Sequence, residues 1–281
     1  MIAKPLVSVL MTSYNRERYI GQAIESVLAS TYTELELLVV DDRSKDSTVN
    51  IARKHAANDP RVKVFVNDVN LGDYPNRNKA AGHAAGKYLK YVDADDFIYP
   101  HGLGTLVEMM EQFPDAGFGL CSLEQDIARP FPFQLEPRAA YEYHYRGPGL
   151  FHKAPLSAII KRSAFEQTKG FAPIRMAGDF EMWHRLCQQF PVVLMPQGIV
   201  WYREHGEQEM NSFSKYYAAY IETTLRYLKD EMCPLEKSAV VAILKKEKDL
   251  LIREMMKGVA TLNFGRLKDN FRKLQTYRNA G

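Results

Sequence analysis

Cysteine is scarce in this chain and tryptophan scarcer, with three and two among 281 residues. Cys121, Cys187 and Cys233 are odd in number, far apart and in no metal-ligand spacing. That argues against a disulfide framework and fits buried or reduced thiols of a cytosolic protein. Long apolar runs are missing as well: the run Ala239–Leu244 stops at six residues, against the roughly 20 that a bilayer-spanning helix needs. No basic start with an apolar stretch and a small-residue cleavage site marks a secretory leader. Gly-x-Gly-x-x-Gly and Walker A loops are absent too, which leaves dinucleotide oxidoreductases and P-loop NTPases poorly supported.

Neither sign of charge dominates: 37 Lys and Arg against 34 Asp and Glu leave +3. The distribution is uneven, because Pro234–Gly281 carries 11 basic and 5 acidic residues, a local +6, and residues 1–233 carry −3. An acidic body without an aromatic–basic motif argues against a nucleic-acid partner. The basic tail reads first as helices packed on the body or on a second copy in a homodimer. Its sharper rival is peripheral contact with an anionic membrane surface, where each basic residue is worth about 1 kcal/mol. At 46% apolar and 25% charged residues the chain has the make-up of a soluble globular protein.

What is present is an alternation of periods. Leu6–Met11, Leu35–Val40, Val62–Val66 and Tyr88–Val92 read as buried strands. Between them, Ile20, Ala23, Ile24, Val27 and Leu28 mark one helix face, and Val49, Ile51, Ala52 and Ala56 mark another behind the candidate caps Ser44 and Asp46. A third helix is expected near Asn76–Ala85, stopped by Gly86, and a fourth after Pro100 with Leu103, Leu106, Val107 and Met110. This alternation predicts an α/β fold with a mostly parallel sheet covered by helices. Ala128–Gly149, with four prolines, reads as a long irregular segment. Regularity resumes at Leu156–Lys161 and in a helix around Phe180–Phe190. After Asn211 come amphipathic helices marked by Ile221, Leu225 and Leu228, then by Val240, Val241, Leu244, Leu251 and Met255.

Ligands of open parallel sheets bind at the carboxyl ends of strands. There the chain places Thr12-Ser13-Tyr14-Asn15-Arg16, Asp41-Asp42-Arg43-Ser44 and Asp93-Ala94-Asp95-Asp96. Five carboxylates at one edge repel one another unless cations compensate. An Asp-x-Asp pair suits a hard ion, Mn²⁺ or Mg²⁺, whose other positions are filled by phosphates and water. Asp179, ahead of the apolar stripe Phe180, Trp183, Cys187 and Phe190, reads by spacing alone more readily as a helix cap than as a catalyst.

These motifs, with Asn70-Leu71-Gly72, Arg77-Asn78, Lys161-Arg162-Ser163, Gly178-Asp179-Phe180 and Tyr202-Arg203-Glu204-His205-Gly206, resemble in order the family-2 inverting glycosyltransferases of GT-A fold, non-processive and of bacterial surface-glycan type. The resemblance implies a GT-A-like, Rossmann-like catalytic domain over 1–210, with a nucleotide-sugar half to about 125 and an acceptor half over 126–210, and a helical extension over 211–281. It implies a metal-dependent transferase moving a hexose from a nucleotide sugar, UDP first, to a hydroxyl of a glycan or lipid-linked acceptor, in the cytoplasm or at the inner face of its membrane.

By the same resemblance, Thr12, Tyr14, Asn15, Asp42, Arg77 and Asp93 would bind the donor nucleotide. Asp95, with Asp93 and His205, would hold the metal, and Asp179 would be the general base. Gly178 departs from the family's common Glu-Asp at that base. Two alternatives stand beside this reading. A sugar-1-phosphate nucleotidyltransferase would want a glycine in the first loop, which Thr12–Arg16 lacks. A catalytically silent nucleotide- or glycan-binding module would not need Asp93, Asp95 and Asp179 together.

Overall fold

The computed structural model describes residues 4–206, 216–260 and 264–279. Its first half is built on β1 (Val7–Ser13), α1 (Ile20–Leu28), β2 (Leu35–Asp41), α2 (Thr48–Asn58), β3 (Val62–Val66), α3 (Asp73–Gly82), β4 (Tyr88–Tyr91), β5 (Phe97–Ile98) and α4 (Gly102–Glu111). The second half adds β6 (Phe118–Leu123), β7 (Phe133–Leu135), α5 (Pro137–Arg146), β8 (Ala158–Lys161), α6 (Arg162–Gln167), α7 (Gly178–Gln189), β9 (Val192–Pro196) and β10 (Val200–Trp201). Three helices follow, α8 (Tyr217–Lys229), α9 (Lys237–Ala260) and α10 (Phe264–Asn279).

Eight strands form one sheet in the order β3-β2-β1-β4-β8-β6-β9-β7. β1 runs parallel to β2 and β4, β2 to β3, and β6 to β9, while β8 is antiparallel to both its neighbours and β7 to β9. This is the mostly parallel, helix-covered sheet that the alternating periods predict. The two-residue side-chain period divides the strands between two cores. Val7, Val9 and Met11 of β1 and Leu37 and Val39 of β2 meet the apolar faces of α1 and α4 on one side. Leu10, Leu38 and Val40 point to the other, where α3, α5, α6 and α7 pack. Each such buried aliphatic side chain stabilises the fold by about 1.5–3 kcal/mol.

Two sequence expectations need correction. The segment Ala128–Gly149 is not an irregular loop: it holds the edge strand β7 and the ten-residue helix α5. Pro137 sits in the first turn of α5, where a missing N–H costs nothing, so proline density hid a helix that proline opens. Ala140, Tyr141 and His144 of α5 are buried toward α7. The helix expected near Asn76–Ala85 begins three residues earlier, after Gly72, whose φ of 83° turns the chain into it, and ends at Gly82. The shift brings Tyr74 onto its buried face.

The tail is docked on the body. Leu228 of α8, Leu235 just before α9 and Ile243 of α9 join the larger core, and Ile221 and Leu225 of α8 meet Tyr277 of α10. The side chains of Leu251 and Met255 and the 210/211 boundary lie outside the described residues. No helix among the described residues is long and apolar enough to cross a membrane. Cys121 and Cys187 are buried, Cys233 is half-buried, and all three are free thiols.

Candidate active site

The loops after β1 and β2 are tied to each other. Asn15, at φ 52°, donates its backbone N–H to Ser44 Oγ at 2.8 Å, and its Oδ1 accepts from the Lys45 N–H at 2.9 Å. The buried Asp41 braces the turn by accepting from the Ser13 hydroxyl and the Ser44 N–H. Tyr14 stands at this edge with 43% of its surface exposed, and Thr12 is half-buried behind it. Asp42 is buried and heavily engaged: its Oδ1 accepts from Asn67 Nδ2 and the Leu71 N–H, and its Oδ2 from the Gly72 N–H, all at 2.8 Å. A carboxylate has about four lone-pair directions, so one on Oδ2 is left for a ligand donor.

One face of α3 connects two carboxylates. Arg77 grips Asp93 with two hydrogen bonds, Nη1 to Oδ1 at 2.7 Å and Nη2 to Oδ2 at 3.1 Å, while its Nε reaches Asp73 at 2.7 Å. Burial opposes the guanidinium charge, but Asp73 and Asp93 outweigh it and push the Arg77 pKa further up. One turn earlier, Tyr74 donates its hydroxyl to Asp179 Oδ1 at 3.1 Å. The same oxygen accepts from the Phe180 N–H at 2.7 Å, and Oδ2 has no hydrogen-bond partner among the described residues. Burial pushes the Asp179 carboxyl up to about 6, against those two donors, which favour its ionised form.

Asp95 has two cationic or titratable neighbours on a single oxygen. Arg16 Nε lies 2.9 Å and His205 Nε2 3.1 Å from its Oδ2. His205 in turn stacks on Tyr19 at a ring separation of 4.9 Å. Arg203 donates from Nε to the Asp95 carbonyl at 2.8 Å, and its guanidinium lies about as close to the rings of Tyr19 and Phe97, at 5.0 Å each, as a cation–π contact requires. The Arg203 N–H caps the buried Asp96 at 2.9 Å, and burial beside Asp93 and Asp95 pushes the Asp96 carboxyl well up.

Asp93, Asp95 and His205 therefore do not close into a three-ligand cage, and no such cluster of His, Cys, Asp and Glu occurs among the described residues. Asp93 is turned to Arg77 instead. Asp95 and His205 remain as one hard oxygen and one borderline nitrogen, 3.1 Å apart. That donor set fits a divalent ion that brings most of its ligands with it, as a diphosphate complex does, rather than an ion caged by protein.

The family model described as Glycosyl transferase family 2 matches residues 8–168, more than half of the chain. The chain belongs to this family. Asp179 and His205 lie beyond the matched stretch of the family-2 region. EpsE of Bacillus subtilis strain 168, provisionally named a glycosyltransferase, is 30% identical over 199 residues, 67% of this chain and 69% of its own. The Campylobacter jejuni GalNAc(5)-diNAcBac-PP-undecaprenol beta-1,3-glucosyltransferase is 32% identical over 124 residues, 43% of this chain and 40% of that one. Against several relatives, then, the family-2 chain spans half the partner's length or less. Among solved structures, S. aureus TarS 1–349 in complex with UDP-GlcNAc superposes with a TM-score of 0.66 at 17% identity, covering 98% of this chain and 92% of that one. The mannosyltransferase PcManGT from Pyrobaculum calidifontis, in complex with GDP-Man and Mn²⁺, does so with 0.66 at 17%, covering 99% and 86%. At that identity the likeness is one of fold, and the fold is GT-A.

Sequence reasoning missed the roles of Tyr74, Arg16 and Arg203 in this family-2 site. Tyr74 and Arg77 are spaced i, i+3, which puts them on one helical face once the helix start is right. Nothing in the sequence pointed Tyr74 at Asp179. Arg16 and Arg203 sat inside the quoted motifs, and an excess of carboxylates at one edge was the signal that cations had to stand beside them.

Proposed function

We propose that this chain transfers a hexose from a nucleotide sugar, with UDP as the carrier, to a hydroxyl of a glycan or lipid-linked acceptor, with inversion at the anomeric carbon. The observation that carries the reading is the face of α3, on which Arg77 holds Asp93 and Tyr74 holds Asp179. Two side chains of one helix thereby tie the carboxylate after β4 to the one that opens α7, which supports reading them as parts of one site.

Thr12, Tyr14 and Asn15 line the base pocket, and the remaining lone pair of Asp42 accepts from the base N–H. Asp93, gripped by the two Nη groups of Arg77, accepts from the ribose hydroxyls, and Arg77 brings positive charge toward the diphosphate. Asp95 and His205 hold the divalent ion, Mn²⁺ or Mg²⁺, which when bound supplies Lewis-acid stabilisation of the leaving diphosphate. Asp179 Oδ2 takes the acceptor proton as the acceptor oxygen bonds to the anomeric carbon. The bond from that carbon to the phosphate oxygen breaks with its electron pair leaving on the nucleoside diphosphate, so one in-line displacement needs no covalent intermediate. The ligands named for TarS and PcManGT support this choice of donor class and ion. The name of the Campylobacter relative supports a lipid-linked acceptor.

Calorimetric titration of UDP, GDP and dTDP, each with and without Mn²⁺, tests the donor half. Metal-dependent UDP binding that Asp95→Ala abolishes is the expected result. A protein that binds no nucleotide under any of these conditions has no donor site at this edge.

A further inference from the structure

Gly178 is the residue where the chain departs from the Glu-Asp pattern its motifs otherwise resemble. A Cβ on Gly178 would lie 2.7 Å from two ring carbons of Tyr74 and 2.7 Å from the Ala172 carbonyl oxygen, closer than real Cβ contacts come. The Tyr74 ring occupies the space that a side chain at 178 would need. It is locked there by Phe171, 5.5 Å away ring to ring, and 5% of its residue surface is exposed. From that seat its hydroxyl meets Asp179 Oδ1.

We propose that Tyr74 is a positioning residue for Asp179, and that the missing side chain at Gly178 is what admits it. The inference rests on the reading of Asp179 as the base that takes the acceptor proton. Tyr74 and the Phe180 N–H both load Oδ1, so the carboxylate is held in one rotamer with Oδ2 presented to the acceptor. The phenol acts only as a donor here: burial, with Asp179 and Asp73 beside it, pushes its own pKa far up, so it keeps its proton. A neutral tyrosine hydroxyl orients the base without adding like charge beside it. The other charged or titratable groups facing Asp179 are Arg77 and Asp73 from α3 and Tyr220 from α8. None of them is changed by removing one hydroxyl.

The test is Tyr74→Phe, which keeps the ring and its packing. Carbon-13 NMR titration of labelled aspartate carboxyls follows Asp179 directly, with its resonance assigned by its loss in Asp179→Asn. The hydroxyl favours the ionised carboxylate, so its removal raises the Asp179 midpoint by about half to one pH unit from its starting value near 6. The acid limb of nucleotide release from UDP-sugar moves up by the same amount, while the donor KM stays put. An Asp179 midpoint identical in the two proteins overturns the proposal, whatever the chain turns over. A midpoint that moves on Tyr74→Phe, when the wild-type protein shows no donor turnover at any pH, establishes the contact and overturns the transfer reading instead.

Discussion

Tyr227 of α8 donates its hydroxyl to Glu181 of α7, two residues beyond Asp179. Glu181 is buried, and it also accepts from Arg226 of α8 at 2.9 Å and from Arg185 of its own helix at 2.8 Å. A helix of the C-terminal extension is thus fastened by a buried carboxylate to the helix that begins with the candidate base. Arg226 is itself half exposed, so the energetic weight lies with Glu181 and with the neighbours its loss would leave unpaired.

Glu181→Ala should therefore loosen α8 first. Removing one partner of a buried charge cluster costs about 3–5 kcal/mol. The urea midpoint is expected to fall accordingly, with faster amide exchange across residues 217–229. Unchanged exchange over α8 would show that Leu228 and Ile221 alone hold it.

Asp179→Asn is expected to abolish transfer, leave UDP affinity nearly intact and make the protein more stable at neutral pH. Burial raises the folded-state value from 3.8 to about 6, so the folded state binds this proton more tightly than the unfolded one. Stability is then lost as pH rises from about 3.8 to 6, and the full cost is present above 6. Asparagine removes it, a gain of about 1–3 kcal/mol at pH near 7.5 and none near 3.5. Melting curves at the two pH values check the sign.

Arg77→Ala should cost about 3–5 kcal/mol, because it leaves Asp93 and Asp73 without the buried cation between them. Arg77→Lys keeps the charge but loses the two-pronged grip on Asp93, so it should recover stability only in part and bind UDP more weakly. Equal urea midpoints for Arg77→Lys and wild type would show that the paired geometry is unimportant.

Arg16 and a divalent ion compete for the same oxygen of Asp95 in the proposed donor site. Arg16→Gln removes one positive charge from a partly buried pair, so Mn²⁺ should bind the nucleotide-free protein roughly three- to ten-fold more tightly. Electron paramagnetic resonance of free against bound Mn²⁺ reads this without any turnover. An affinity equal to wild type would separate Arg16 from metal binding.

The strands and the helices over them were legible because burial on a parallel sheet leaves a periodic trace. Val7, Val9 and Met11 against Leu10, and Ile20, Ala23, Ile24 and Val27 on α1, are visible before any coordinates. The strand-end residues Tyr14, Asp42, Asp93 and Asp95 were legible because their types and order carry the family likeness. Helix α5 was not, because Pro137 reads as a breaker unless it is known to stand in the first turn.

The sequence by itself determined the α/β alternation, the acidic edge and the family, since each of these is written in neighbouring residues. Only the tertiary structure decided the pairings: Arg77 with Asp93, Arg16 and His205 with one oxygen of Asp95, Tyr74 with Asp179, and Glu181 with Arg226 and Tyr227. Those partners lie between 16 and 110 residues apart in the chain. Local propensity and periodicity have no reach over such distances. The packing of α3 on β1 and β2, of α8 on α7, and of Arg16 and His205 onto Asp95 brings the atoms together.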